Sequence, residues 1–418
     1  MNDVKTLDEW LSLLEQRHHT AIDLGLDRVR LVAERMGLTR SAGCIITVAG
    51  TNGKGSCVRS LEAMLLKLGF STGAYSSPHL IHYNERIRLN GEDASDDAIV
   101  RAFDVIEEAR GDIGLSYFEA GTLAALWLFQ QAQCDYWLLE VGLGGRLDAV
   151  NIVDADVAIV TSIAVDHEAW LGSDRRQIAK EKLGVARPAR PVVIGELDLP
   201  EGMVDHAEML CAIPIVINQD FNYREDGGFT VMAPNRHGVS QLYKLPSVPI
   251  LPHPSVACAI AALTWLGVID EGSRVVDVLG DCQMPGRMQH IHAADREWVL
   301  DVGHNPAAAK YLCARPEIQH IDRIVIGMVH DKDVASTLSV FATHFRHWHF
   351  ATPDAGGREA SASSLRDALD ENLQCQVASS VQDAMQGALE RSQKGDTILV
   401  TGSFFTVGAA ITWLNSRI

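Results

Sequence analysis

The run Val48-Ala49-Gly50-Thr51-Asn52-Gly53-Lys54-Gly55-Ser56 constrains this chain more than any other segment. A β-rich stretch, residues 44–48 (CIITV), leads into it. Residues 56–68 follow, with Val58, Leu61, Leu65 and Leu68 recurring at helical spacing. Glycines let backbone N–H groups turn inward, and a helix start adds partial positive charge; together these hold a phosphate chain. Lys54 is placed to reach the terminal phosphates. The general phosphate-loop pattern is missed at both ends, because Val48 stands where its first glycine belongs and Ser56 falls one residue late.

The surroundings repeat the same grammar. Apolar runs at 136–141, 157–161 and 191–194 read as buried strands, with helical patterns at 118–133 and 175–186. A second set follows Met284-Pro285-Gly286-Arg287, with strands at 298–301, 324–327, 348–351 and 397–400 and helices near 307–313, 383–392 and 407–415. Residues 196–252 are richer in Pro, Gly and Asn and read as hairpins and loops. Strand–helix alternation predicts an α/β fold with parallel-rich sheets. The expectation is a Rossmann-like P-loop ATPase domain over 1–284 and a smaller C-terminal α/β domain over 285–418.

Charge and cysteines narrow the class. With 36 Lys+Arg against 54 Asp+Glu, the net charge of −18 argues against a nucleic-acid binder, which needs a basic face. The eight cysteines include no CxxC pair, which fits free thiols rather than a disulfide framework. Residues 1–10 lack the basic-then-apolar layout of a signal peptide. No apolar run approaches the roughly 18 residues of a membrane span. A cytoplasmic protein with no membrane or nucleic-acid partner, acting as a monomer, is expected.

The blocks along the chain, taken in order, are similar to one family. The GTNGKGS loop (residues 50–56) resembles the ATP loop of the Mur ligase superfamily, whose members join a carboxylate to an amine. Tyr75-Ser76-Ser77-Pro78-His79-Leu80, Asn84-Glu85-Arg86-Ile87-Arg88 and Leu139-Glu140-Val141-Gly142-Leu143-Gly144-Gly145-Arg146-Leu147-Asp148-Ala149 resemble its folylpolyglutamate synthase branch. So do Ser162-Ile163-Ala164-Val165-Asp166-His167, Glu181-Lys182-Leu183-Gly184, Pro285-Gly286-Arg287 and Asp301-Val302-Gly303-His304-Asn305-Pro306. Thr20-Ala21-Ile22-Asp23-Leu24-Gly25-Leu26 and Tyr117-Phe118-Glu119 resemble the bacterial bifunctional dihydrofolate synthase/folylpolyglutamate synthase form. The resemblance implies ATP-dependent addition of L-glutamate to dihydropteroate and to reduced folates through an acyl phosphate. A polyglutamate extender alone, and a non-catalytic nucleotide-binding regulator, are the alternatives.

The same resemblance assigns roles. Gly50, Thr51, Asn52, Gly53, Lys54, Gly55 and Ser56 would hold ATP, joined by Arg287 and Asp301 from the second domain and by Ser255, which stands where the family commonly has an adenine-contacting Asn. Ser77, Glu140 and His167 would bind Mg²⁺, with two ions expected. Glu140 also stands out unaided: it ends an apolar run, where an unpaired carboxylate is costly, and sits at a strand end, where open α/β sheets bind ligands. A buried salt-bridge partner is the other reading of it. Lys54, Lys182 and His304 would be catalytic, and Lys182 matches a lysine carbamylated in the family. Ile22, Asp23, Leu24, Gly25, Ser116, Tyr117, Phe118, Glu119, Leu147, Asp148 and Ala149 would form the pterin side. An acidic helix cap and ordinary core packing are the other readings of that set.

Overall fold

The computed structural model describes residues 5–17, 24–369 and 374–417. Ile22 and Asp23 lie outside the described residues. Contacts divide the chain into two units: Met1–His79, Tyr83–Val165 and Leu171–Cys282 form the first, and Leu80–His82, Asp166–Trp170 and Gln283–Ile418 the second. Two short excursions from the first half thus join the second unit, which a single boundary does not anticipate. Leu80 explains one of them: a Cβ on Gly408 would meet its carbonyl oxygen, so the glycine allows the close approach. Among the described residues, no helix is long and apolar enough to cross a membrane.

In the first unit, β1 (Cys44–Ala49), β2 (Thr72–Tyr75), β3 (Ile87–Leu89), β4 (Glu92–Asp93), β5 (Tyr136–Glu140), β6 (Val157–Val160), β7 (Pro191–Ile194) and β8 (Ile213–Val216) share a sheet. Its order is β4-β3-β2-β5-β1-β6-β7-β8. From β2 to β8 all neighbours are parallel, and β3 and β4 add antiparallel edges. The buried apolar side chains of β1, β5 and β6 suit strands covered on both faces. Helix Tyr117–Gln131 packs beside them, and Phe129 presses against Gly73 and lies 5.9 Å from the Trp137 ring. Truncating a wholly buried Phe such as this one costs about 3–5 kcal/mol.

The expected loop region corrects itself in part. Helix Met203–Met209 and β8 continue the αβ alternation. Only β9 (Asn222–Arg224), β10 (Phe229–Pro234) and β11 (Ser240–Leu245) form an antiparallel meander. The wholly buried stretch of helix His253–Leu266 follows, started by prolines that suit a first helical turn.

The second unit is built on β12 (Gln289–Ala293), β13 (Arg296–Leu300), β14 (Arg323–Ile326), β15 (His347–Ala351), β16 (Gln374–Ala378) and β17 (Thr397–Thr401). Their order is β12-β13-β17-β14-β15-β16, parallel except for the β12–β13 hairpin. Trp298, Leu300, Val325, Val400 and Leu414 fill its core, with the Trp298 and Trp413 rings 5.7 Å apart.

Candidate active site

The register of the first sheet positions its chemistry. Val48 of β1 faces Glu140 of β5, and Ala49 faces Val160 of β6. The loop after β1 therefore opens between two strand ends, the place where open α/β sheets bind ligands. Gly53 caps helix Lys54–Lys67 at φ 83°, a left-handed conformation that favours glycine. The space a Cβ would need there is taken by the Ser255 hydroxyl. Ser255 is only 3% exposed, so its side chain braces the loop. Ser255 thus lies against the phosphate loop, where its short side chain has no amide to reproduce the contact of the Asn common in the family.

Cross-strand bonds hold the loop open. Thr51 N donates to Ser162 O at 2.8 Å, Thr51 Oγ1 to Ala164 O at 3.0 Å, and Asn52 N to Ser162 Oγ at 2.9 Å. Thr161 Oγ1 donates to Asn52 O at 2.7 Å. Lys54 Nζ donates to the carbonyls of Gly50 and Thr51, at 3.2 and 3.3 Å. Lys182 Nζ, almost wholly buried, donates to Gly50 O at 2.9 Å. Gly55 and Ser56 are buried in the first helical turn, whose backbone N–H groups have no partner within the helix and are what a helix start offers an anion.

Lys182 reaches the loop because two motifs pack together. Helix Arg175–Leu183 lies against the turn after β5, where a Cβ on Gly145 would come within 2.9 Å of Glu181 O and 3.0 Å of Lys182 O. Arg146 fastens the contact to Glu181 at 3.0 Å.

Glu140 ends β5 with 5% exposure, and Ser77 N donates to its Oε2 at 3.3 Å. Hydroxyl and carboxylate oxygens are hard donors. Among the described residues no group of three or more His, Cys, Asp or Glu forms a metal cage. That combination fits Mg²⁺, which takes one or two carboxylates and draws its other ligands from water and phosphate.

His167 belongs to the second unit. It takes φ 55°, and its Nε2 accepts from Lys332 Nζ at 3.2 Å. Lys332 also pairs with Asp166 at 2.6 Å, and Asp166 lies 3.6 Å from His304 Nε2. Burial alone would raise the Asp166 carboxyl; His304 and the charges of Lys332 and His167 outweigh it and hold the group well below the usual carboxylate range. Asp301 accepts from Met288 N at 3.0 Å and Gly303 N at 2.9 Å, and desolvation pushes its carboxyl up against the opposing charge of Arg287. The Arg287 guanidinium sits 5.0 Å over the Phe404 ring, and the His304 ring lies 6.1 Å from the same ring. Sequence reasoning missed Lys332, Phe404 and Thr161. The His330-Asp331-Lys332-Asp333 run just beyond β14 was the available signal for the first, since it follows a parallel strand end.

On the expected pterin side, Leu24 and Gly25 are half-buried before helix Asp27–Arg35. Phe118 packs on Gly142 and lies 5.7 Å from the Tyr75 ring. Tyr117 is half-buried beside it. Ser116 and Glu119 form a capping box, and Arg28 pairs with the other Glu119 oxygen at 3.1 Å. Both Glu119 oxygens are therefore engaged by the chain, which favours the cap over a direct pterin contact. Asp148 is buried, accepts from Leu143 N at 2.8 Å and Val150 N at 3.1 Å, and caps the turn that begins at Ala149. Desolvation raises its carboxyl to about 6, against those bonds and the charge of Lys54. Leu147 precedes it, half-buried.

Comparison with known proteins adds to this geometry. Residues 286–404 match the family described as Mur ligase, glutamate ligase domain. Over 98% of its length the chain is 44% identical to the dihydrofolate synthase/folylpolyglutamate synthase of Escherichia coli K12, covering 96% of that protein. E. coli FolC in complex with DHPP and ADP superposes with a TM-score of 0.92 at 42% identity, over 99% of this chain and 98% of that one. A bifunctional folylpolyglutamate synthase/dihydrofolate synthase with Mn, AMPPNP and L-glutamate bound gives a TM-score of 0.89 at 40% identity, covering 98% of both chains.

Proposed function

The chain belongs to the dihydrofolate synthase/folylpolyglutamate synthase family, and from that premise we infer that it is an ATP-dependent carboxylate–amine ligase. It adds L-glutamate to dihydropteroate, giving dihydrofolate, and to reduced folates, extending their glutamyl tail. The observation that carries the reading is the phosphate loop itself, framed by Glu140 on β5 and by the Thr161–Ala164 tethers beyond β6, with Lys54 and Lys182 converging on it.

In this reading, residues 1–284 bind ATP and the acid substrate, and 285–418 act as the glutamate-ligase domain. A carboxylate oxygen of the substrate attacks the γ-phosphorus of ATP, and ADP leaves. The glutamate amine then attacks the acyl carbon, and phosphate departs with the bond to that carbon. The residues' task is to align these groups and to neutralise charge built up in transfer. The N–H groups of Gly53, Lys54 and Gly55 cradle phosphate oxygens, and the Lys54 ammonium follows the transferred group. Ser77, Glu140 and His167 would hold Mg²⁺, which neutralises phosphate charge when bound. Arg287 and Asp301 contribute to nucleotide binding, and His304, held by Val302 O at 2.9 Å, to the transfer step. Carbamylation would convert buried Lys182 from a cation to an anion and change what it can bind. Phe118, Asp148 and their neighbours flank the pterin. Eight free thiols support a cytoplasmic location, where reducing conditions keep them so.

The test is glutamate-dependent phosphate release from ATP and Mg²⁺ with dihydropteroate and tetrahydrofolate supplied separately. Turnover with both is expected. Turnover with tetrahydrofolate alone would reduce the enzyme to a tail extender, and silence with both would remove the assignment.

A further inference from the structure

The block Asn84-Glu85-Arg86-Ile87-Arg88 carries two arginines, and folding accounts for only one. Arg88 is neutralised: its Nε lies 3.2 Å from the Glu62 carboxylate and its Nη1 2.6 Å from Asp93. Arg86 closes the short 3-10 turn Tyr83–Arg86. It has no carboxylate within ion-pair distance among the described residues. Its Nε donates to His79 Nδ1 at 2.8 Å. Its guanidinium lies 5.5 Å from the Tyr83 ring centre and 5.6 Å from that of Tyr117, two rings that meet edge to face at 89°.

The two ring centres lie 5.6 Å apart, so both rings flank the guanidinium from one side, and its Nε is spent on an imidazole. The terminal amino groups keep the fork that matches a carboxylate. Its address is equally specific. Ser76 N donates to Arg86 O at 2.9 Å, and Tyr75 pairs with Ile87, so Arg86 is tied beside Ser77. Tyr117, whose ring centre lies 5.6 Å from the guanidinium, immediately precedes Phe118. Arg86 thus stands between the Ser77–Glu140 strand ends, where the acid is activated, and the Tyr117–Phe118 wall.

We propose that Arg86 is the residue that binds the α-carboxylate of the terminal glutamate in folate substrates, beside the γ-carboxylate that is activated. The proposal rests on the two-substrate reading above and deepens it. A folate presents two carboxylates at its reacting end, whereas dihydropteroate has a single carboxylate, which is the one that reacts. An arginine dedicated to the second carboxylate acts on one of the two reactions and so sets the balance between them.

The experiment compares wild type, Arg86→Gln and Arg86→Lys, each verified as folded by circular dichroism and melting. Steady-state constants are measured with dihydropteroate, with tetrahydrofolate, and with tetrahydropteroyl-γ-aminobutyrate, which keeps the reacting carboxylate and lacks the α one. The ratio of kcat/KM for tetrahydrofolate to that for dihydropteroate is expected to fall roughly 10–100-fold in Arg86→Gln, the loss residing in KM for the folate. Arg86→Lys, with the charge but not the fork, should fall in between, and it carries the test if the Gln variant does not fold. Wild type on the aminobutyrate analogue should match Arg86→Gln on tetrahydrofolate, with little further loss when both changes are combined. Equal losses on the two natural substrates, a shift in KM for glutamate instead, or a full second loss on the analogue would each overturn the proposal. A wild-type enzyme that turns over neither substrate would instead overturn the reading on which it rests, and the proposal with it.

Discussion

Lys54 and Lys182 direct their ammonium groups at one acceptor: Gly50 O receives the first at 3.2 Å and the second at 2.9 Å. Unmodified, two cations gathered on a single carbonyl repel each other, and carbamylation, which would make Lys182 an anion, would relieve that repulsion.

Lys54→Ala is expected to lower kcat/KM by about 10²–10³-fold with either folate precursor, the scale seen when one preorganised charge-stabilising donor is lost. Calorimetric titration with AMPPNP should show weaker binding as well. Lys182→Met, which keeps the buried volume, should lose turnover while melting near wild type. With ¹³C-bicarbonate present, a carbamate carbon signal is expected in the wild-type spectrum and not in that of Lys182→Met. Wild-type turnover by Lys54→Ala would remove the loop from the chemistry.

Glu140 and Ser77 offer a divalent cation little beyond two oxygens, so affinity should lean heavily on the carboxylate. Glu140→Gln preserves shape and removes the charge. Its apparent affinity for Mn²⁺, followed by electron paramagnetic resonance in the presence of AMPPNP, should fall at least about tenfold. Chelation with EDTA should stop turnover in the wild type, and added Mg²⁺ should restore it. Unchanged Mn²⁺ binding in Glu140→Gln would assign this carboxylate to structure alone.

Much of this was legible in the sequence, and the gaps have physical causes. The runs that became β1, β5, β6 and β7 are apolar because they are covered on both faces, and that composition is what the eye detects. β2 is Thr-Gly-Ala-Tyr, four residues with a glycine that makes room for Phe129, so it gives little signal. The helix His253–Leu266 was hidden by the prolines that start it. Glu119 carries two readings. Ser116-Tyr117-Phe118-Glu119 spells a capping box by its spacing alone, and the structure gives it that role, whereas a substrate role for it comes from the resemblance. Lys332 lies 166 positions from Asp166 in the chain, a separation across which no local pattern could join them.

That pair also carries a prediction. Lys332 and Asp166 are both under a tenth exposed at the side chain and meet at 2.6 Å. Removing the lysine leaves a buried carboxylate supported by neutral donors, His167 N at 2.8 Å and Asn305 Nδ2 at 3.4 Å, and by His304 at 3.6 Å. Breaking one side of such a pair costs about 3–5 kcal/mol. Lys332→Met should therefore melt well below wild type. Asp166→Asn combined with Lys332→Met should regain part of the loss, because no charge is then stranded. A Lys332→Met protein as stable as wild type would mean the carboxylate is hydrated.

His349 supplies the pH dependence that is easiest to isolate. It is 2% exposed on β15, accepts from Arg323 Nη1 at Nε2 over 3.1 Å, and donates from Nδ1 to Gln376 Oε1 over 3.0 Å. Burial is the main reason its imidazolium is disfavoured, with the nearby arginine charges adding to it, and together they bring its pKa down to about 4 from 6.5. Between those values the unfolded chain takes up a proton that the folded chain refuses. Unfolding thus binds protons, so stability rises with pH across this window and is lost as pH falls through it, levelling off below about 4. Urea titrations between pH 4 and 7 should show that slope in wild type. In His349→Gln, which cannot titrate, the slope should be shallower by the contribution of one proton. An identical slope in both proteins would show that His349 charges without cost in the folded state.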